Sequence, residues 1–319
     1  MTSRNPDKSK MTAKIKSLAL ECGFDKVGIV RAEALTHEAI HLGEWLGRGF
    51  QGEMRWMERD PAMRSDPRKL FEGARSVVAV AMNYYTQHEH LGEAGTGKVS
   101  RYAWGDDYHD VLKERLYKIL EGVEQLIPGV KGKVCVDTSP IMDKAWAVKA
   151  GLGWLGKHSN VITKDIGSWV FLGELLLDVE LEFDTGVVAD HCGSCTACLD
   201  ACPTAAIVEP YVVDSKKCIS YATIELRSEK LPAEISENLE GWLYGCDICQ
   251  DVCPWNRFEQ QTDEPRFEPR KGLVEPSAEA ILGLDRESYQ SMFKGSAIKR
   301  TKLDGLKRNA EAILEHKKK

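Results

Sequence analysis

The sequence has no apolar run near the roughly 18 residues that a membrane-spanning helix needs; the longest plain one covers residues 77–82. Its opening stretch, MTSRNPDKSKMTAKIK, is polar and basic and holds no apolar core of a secretory signal. No Arg-Arg pair occurs, which argues against a twin-arginine export signal. These absences predict a cytoplasmic chain whose thiols stay reduced. Basic charge is not in excess either: 43 Lys and Arg stand against 49 Asp and Glu, a net charge of -6. A uniformly basic, histone-like protein is excluded, while a local basic patch is not. With 43% apolar and 29% charged residues over 319 positions, the make-up is that of a globular protein of about two domains.

Cysteine is what the chain has in plenty, and it is unevenly spread. Cys22 and Cys135 stand alone on apolar faces, where buried, inert thiols are expected. The other eight lie between Cys192 and Cys253. In a reducing compartment such a cluster points to metal rather than to disulfides. The first half reads Cys192-x2-Cys195-x2-Cys198-x3-Cys202-Pro203. This is the bacterial ferredoxin spacing, in which three thiolates wrap one cubane and the fourth turns to the other. The second half, Cys246-x2-Cys249-x3-Cys253-Pro254, lacks one cysteine of a full run, and the lone Cys218 is the substitute. The crossover rule then assigns Cys192, Cys195, Cys198 and Cys253 to one [4Fe-4S] cluster. It assigns Cys202, Cys218, Cys246 and Cys249 to a second. Two zinc knots are the alternative, but zinc sites usually show isolated pairs.

Residues 11–22 read as a short helix, with Met11, Ile15, Leu18 and Cys22 at helical spacing. Strands are expected at 26–30, 76–82, 134–136, 168–172 and 175–179. Leu112, Leu116, Ile119, Val123 and Leu126 form a helical stripe that Pro128-Gly129 ends, and Ser139-Pro140 offers an N-cap for a helix through 145–150. Strands separated by helices predict an α/β (α+β) domain over 1–186. A ferredoxin-like 2×[4Fe-4S] domain follows over 187–260. The stretch 190–259 carries 12 acidic and 5 basic residues. Residues 261–319 read as a linker, QTDEPRFEPRKG, and a basic end in which 294–319 hold 9 basic and 3 acidic residues. Lys317, Lys318 and Lys319 read as a disordered terminus.

Further motifs run in order along the chain. Val136-Asp137-Thr138-Ser139-Pro140 is followed by Lys144-Ala-Trp-Ala and Ala150-Gly-Leu-Gly-Trp-Leu-Gly-Lys157. Gly167-Ser-Trp-Val-Phe-Leu-Gly-Glu174 precedes the ferredoxin run, and Cys218-Ile-Ser-Tyr-Ala-Thr-Ile-Glu225 follows it. Then come Tyr244-Gly-Cys-Asp-Ile-Cys-Gln-Asp-Val-Cys-Pro254-Trp255-Asn256, Ser296-Ala-Ile-Lys-Arg300 and Arg308-Asn309-Ala310. Over almost the whole chain these resemble the epoxyqueuosine reductases, in a form without the C-terminal helical-repeat domain of some members. The resemblance implies reduction of the epoxide of epoxyqueuosine to queuosine at the wobble position of tRNAs for Tyr, His, Asn and Asp. It implies cobalamin charged by the two clusters, an unidentified electron donor, no membrane and a monomer. Asp137 matches the family's acid. The resemblance places Arg101, Tyr102, Asp137, Ser139, Lys144, Lys157, Asn160, Leu172 and Glu225 at the cobalamin. It places Lys299, Arg300, Lys302, Lys307 and Arg308 at the tRNA.

Physical reading of the same residues leaves alternatives beside these roles. Asp137 follows a strand, where ligands of α/β domains gather. Acting as an acid near pH 7 requires a raised pKa, which burial against an apolar corrin would give; capping the next helix is its alternative role. Asp107-Tyr-His109 comes nearest to a cobalamin-binding Asp-x-His-x-x-Gly, but Leu112 stands in the glycine's place. No histidine on cobalt is therefore expected, in agreement with the family. Arg101-Tyr102 and Asp107-Tyr108-His109 still resemble a family motif near the cofactor, with a solvated loop leading into the helix from Val111 as their alternative. Gly151-Leu-Gly-Trp-Leu-Gly156 follows a helical pattern, so it is expected to end that helix and admit a flat ligand rather than form a dinucleotide site. The basic end suits phosphates, with a solvated helix face as its alternative. A reductive dehalogenase-like enzyme and a ferredoxin-type electron carrier are the competing functions.

Overall fold

The computed structural model describes residues 6–316, so the terminus expected at Lys317, Lys318 and Lys319 lies outside the described residues. Four strands form one sheet: β1 (Lys26–Arg31), β2 (Ser76–Asn83), β3 (Gly132–Cys135) and β4 (Val170–Leu177), in the order β1-β2-β4-β3. Every residue of β2 is buried, because side chains alternate between two faces and both are covered. Val78, Val80 and Met82 pack with Ile15 of α1 (Pro6–Glu21) and with Leu112, Leu116 and Ile119 of α2 (Tyr108–Leu126). Val77, Ala79 and Ala81 pack with Trp146 and Ala147 of α3 (Asp143–Lys149). Helices separate the strands along the chain, yet every pairing in the sheet is antiparallel, so the architecture is α+β. Among the described residues no helix is long and apolar enough to cross a membrane.

Three expectations are corrected. The stretches 168–172 and 175–179 are not two strands, since β4 runs unbroken through Gly173 and Glu174. A Cβ on Gly173 would lie 3.0 Å from Leu116 Cδ1, so the glycine admits α2 close to the sheet rather than marking a turn. Ser139 and Pro140 do not open the next helix either. Asp137 adopts a left-handed φ of 39°, the chain turns there, and α3 begins only at Asp143 with no side-chain cap. Lastly, QTDEPRFEPRKG is no free linker. Thr262 Oγ1 donates to Asn83 O at 2.7 Å, Glu264 pairs with Arg115 and Arg266, and Phe267 is buried against Phe171. Its charges find partners far along the chain, which local composition does not record.

The strand pair Lys98–Val99 and Trp242–Tyr244 joins the front of the chain to the cysteine region. Val99, Trp104, Ile219, Trp242, Phe293 and Leu306 share one core there, so the three stretches read from the sequence fold against one another. The last helix, α4 (Lys302–His316), packs on this core. Arg308 is buried in it and donates to the carbonyls of Leu226, Ser228 and Ala222 at 2.7 to 3.0 Å. Its donors are taken up by these carbonyls and by Asn309 Oδ1, an arrangement that points to a structural role in place of the phosphate contact the resemblance implies. Arg308→Ala is expected to lower the denaturation midpoint by the equivalent of about 3 kcal/mol, because buried carbonyls lose their partner. The folded variant should keep its affinity for a tRNA stem loop. A normally stable variant with weakened RNA binding would return Arg308 to the interface.

Candidate active site

The eight clustered cysteines divide between two cavities. Cys192, Cys195 and Cys198 line a small one of about 70 Å³, together with Cys253 from the second run. Cys202 turns away to a larger cavity of about 530 Å³, where Cys218, Cys246 and Cys249 meet it. Burial pushes the thiols of Cys192, Cys218, Cys246, Cys249 and Cys253 up, and that of Cys198 to about 11. At Cys192 burial again leads, while the Ala206 N–H donates to Cys202 Sγ at 3.3 Å. Such donors suit a sulfur that must ionise to bind iron. Among the described residues no three His, Cys, Asp or Glu side chains close on a point that one metal ion could occupy. Four thiols in each cavity are the donor set that a [4Fe-4S] cluster requires.

The larger cavity is two-sided. One wall carries the Cys202, Cys218, Cys246 and Cys249 quartet; elsewhere its lining includes Asp137, Lys144 and Asn160, with apolar Val170, Phe171 and Leu172. His158, only 4% exposed, also lines it. Its Nδ1 accepts from Asn160 N–H at 3.2 Å, so Nε2 is left as a buried N–H without a partner. Burial holds its pKa down near 4, so the ring is neutral. A large, partly apolar group carrying amide acceptors, such as a corrinoid, fits this lining.

Asp137 lies just beyond β3, and its side chain is 53% exposed. Its Oδ2 is 3.0 Å from His109 Nε2, and His109 Nδ1 is 2.7 Å from Asp107 Oδ1. Asp107 also caps α2 by accepting from the His109 backbone N–H, so the helix start fixes the ring. Tyr108 stacks on His109 with centroids 4.0 Å apart, and its phenol favours the ionised Asp137. Burial pushes the Asp137 carboxyl up, but His109, then Tyr108 and Lys144, hold it below its ordinary value. The chain thus supplies a neighbour, His109, that spacing did not reveal and that acts against the rise burial against a corrin would give. At His109 burial pushes down, yet the two carboxylates lift its pKa to about 9. Behind Asp137, burial pushes Asp143 and Glu174 up. Glu174 is wholly buried on β4 with neither oxygen bonded, which lifts its carboxyl well above the ordinary range.

Of the other residues expected at a cofactor, Tyr102, Lys144, Asn160 and Leu172 line this cavity. Lys144 Nζ donates to Ser159 O at 2.8 Å and to Asn160 Oδ1 at 2.9 Å. Arg101, Ser139, Lys157 and Glu225 are not in its lining. The Arg101 guanidinium lies over Trp104, Tyr85 and Trp169 and bonds the carbonyls of Thr86 and His88. Lys157 holds the loop of the small cavity through the carbonyls of Gly193 and Cys195. Glu225 pairs with Arg300 at 2.7 Å. Lys299 and Lys302 are exposed and Lys307 is half-buried. His158 falls within the stretch 157–160 expected to line a ligand, whereas the sequence offers no motif for Asp143. Gly151 does end α3, with φ 75°. A Cβ on Gly153, however, would lie 2.1 Å from Ile162 O, so that glycine admits backbone rather than a ligand.

Comparison with known proteins bears on this geometry. Residues 64–138 match the family model described as epoxyqueuosine reductase QueG, DUF1730, and residues 191–256 match a 4Fe-4S double cluster binding domain. The chain is 46% identical to an epoxyqueuosine reductase of Cellulophaga algicola over 96% of this chain and 99% of that one. It is 49% identical to one of Synechocystis over 87% and 95%. A crystal structure of epoxyqueuosine reductase with a tRNA-Tyr epoxyqueuosine-modified stem loop superposes with a TM-score of 0.91. It is 30% identical, covering 97% of this chain and 82% of that one. The Streptococcus thermophilus enzyme gives 0.86 at 30% identity, over 95% and 80%. The match runs through both halves of the site, and the chain belongs to the epoxyqueuosine reductase family.

Proposed function

We propose that this oxidoreductase reduces the epoxide of epoxyqueuosine in tRNA to the alkene of queuosine, in the larger cavity, with two [4Fe-4S] clusters and cobalamin. One observation carries the reading: a cysteine quartet and the Asp137 carboxylate line the same cavity. Cys202, Cys218, Cys246 and Cys249 would hold the inner cluster, and Cys192, Cys195, Cys198 and Cys253 the outer one. Tyr102, Lys144, Asn160, Leu172 and His158 would hold the corrinoid. When bound, the clusters supply single electrons and the corrinoid supplies a strongly nucleophilic reduced metal. The chain's own part is to exclude water with Val170, Phe171 and Leu172 and to bring a proton on Asp137 to the oxygen that leaves.

The tRNA reading is supported by the family member crystallised with a modified stem loop. Here Lys299, Lys302, Lys307 and the Glu225-paired Arg300 would meet its phosphates. Anticodon loops expose bases cheaply, which suits a base that must enter a cavity. The substrates would be tRNAs for Tyr, His, Asn and Asp, met by a cytoplasmic monomer.

Protein reconstituted anaerobically with iron, sulfide and cobalamin, then treated with a strong reductant, should convert an epoxyqueuosine stem loop to the queuosine form. Metal analysis should give about eight irons and one cobalt per chain. A colourless or zinc-loaded protein, or one that retains cobalamin without converting the stem loop, would refute the reading.

A further inference from the structure

The reaction consumes two electrons and two protons for each epoxide. Two carbon–oxygen bonds break, a carbon–carbon double bond forms, and the oxygen leaves as water. The clusters of the reading above supply the electrons, but the protons need a source in the cavity. Asp137 Oδ2 faces His109 Nε2 at 3.0 Å, a contact that favours the ionised carboxylate and so leaves Asp137 without a ready proton of its own. The proton beside it sits on His109. Each ring nitrogen of His109 faces a carboxylate, Nδ1 that of Asp107 at 2.7 Å and Nε2 that of Asp137 at 3.0 Å. A neutral imidazole would set a lone pair against one of those carboxylates, whereas the imidazolium donates to both.

We propose that His109 stores the proton that Asp137 delivers, and that Asp107 positions and holds the imidazolium. The proposal rests on the reading of Asp137 as the acid and adds the group that loads it. A proton passes from His109 Nε2 to Asp137 Oδ2 and from there to the leaving oxygen. The ring is left neutral, with its remaining N–H on Asp107. Asp137, half exposed to the open cavity, then returns a proton from solvent for the second transfer. Substrate seated over Asp137 covers part of its carboxylate and so favours moving the proton from nitrogen to oxygen when it is needed. Asp107 serves twice, as cap of α2 and as the anion behind the ring. Tyr108 on the same helix stacks on His109, Lys113 lies one turn on, Asp143 and Lys144 face the site from α3, and Arg300 adds a positive charge toward Asp137.

The test compares His109→Gln, Asp107→Asn and Asp137→Asn. Asparagine caps helices as well as aspartate does, so Asp107→Asn removes the charge and keeps the cap. The first readout needs no cofactor: nitrogen-15 NMR of histidine-labelled protein. His109 should be doubly protonated at pH 7.5 in the unsubstituted chain and titrate near 9. It should titrate lower in Asp107→Asn and in Asp137→Asn. The second readout is the single-turnover rate of the loaded, reduced protein across pH. The unsubstituted rate should hold to about pH 9 and then fall. His109→Gln should be slower at pH 7.5 by about 10²-fold, and its rate should already fall as pH rises past the carboxylate range. Full activity and an unchanged pH limb in His109→Gln, alongside an inactive Asp137→Asn, would overturn the store while leaving the acid in place. Full activity in Asp137→Asn would instead remove the reading on which the store rests. A neutral His109 at pH 7.5 in the unsubstituted protein would sink the proposal outright.

Discussion

Asp137→Asn should fold, take up its full iron and bind the modified stem loop, yet reduce the epoxide about 10³-fold more slowly. The amide keeps the size of the carboxyl and an oxygen facing His109, so cavity and loop stay in place. It cannot carry a proton to the leaving oxygen. Losing the carboxylate also removes one of the two anions that raise His109, so the imidazolium gives up its proton at lower pH. The side chain is 53% exposed in an open loop with a left-handed backbone, which limits the cost in stability. Mass spectrometry of the stem loop after one turnover, at matched iron content and matched binding, makes the measurement. An equally fast variant would mean that the proton comes from elsewhere in the cavity.

The sequence carried some of this site plainly and some not at all. The ferredoxin spacing is a local signal, because the thiolates that wrap one cluster lie a few residues apart, and their proline-marked exit is local too. The buried strand β2 and the stripe of α2 were legible for the same reason: period two and period 3.6 are written in neighbouring residues. What failed was whatever depended on a partner far along the chain. Gly173 and Glu174 look like an interruption until α2 is laid on Gly173. QTDEPRFEPRKG looks like a linker until Arg115 and Asn83 are brought against it. Arg308 looks like a phosphate ligand until three backbone carbonyls surround it. Asp137 stands out in the sequence as a strand-end carboxylate, but the direction in which its neighbours pull its pKa does not. That direction depends on His109, 28 positions earlier, which the antiparallel fold carries to within 3.0 Å.

The second large effect separates the two cysteine quartets. Read linearly, Cys253 would belong with Cys246 and Cys249, only a few residues before it. The fold instead sets it in the small cavity with Cys192, Cys195 and Cys198, while Cys202 leaves that run for the large one. Cys253→Ala and Cys202→Ala should therefore each drop the iron from about eight to about four per chain, but by losing different clusters. Cys253→Ala keeps the quartet that lines the cavity with Asp137, so a small, strong chemical reductant should still drive a single turnover. Cys202→Ala loses that quartet, and conversion should fall to the level seen without protein. Electron paramagnetic resonance of the reduced variants identifies which cluster remains, and stem-loop conversion in the same samples gives the functional outcome. The opposite pattern, with Cys202→Ala active and Cys253→Ala dead, would reverse the order in which electrons traverse the protein. Loss of both clusters in Cys253→Ala alone would mean that the small cavity scaffolds the larger one.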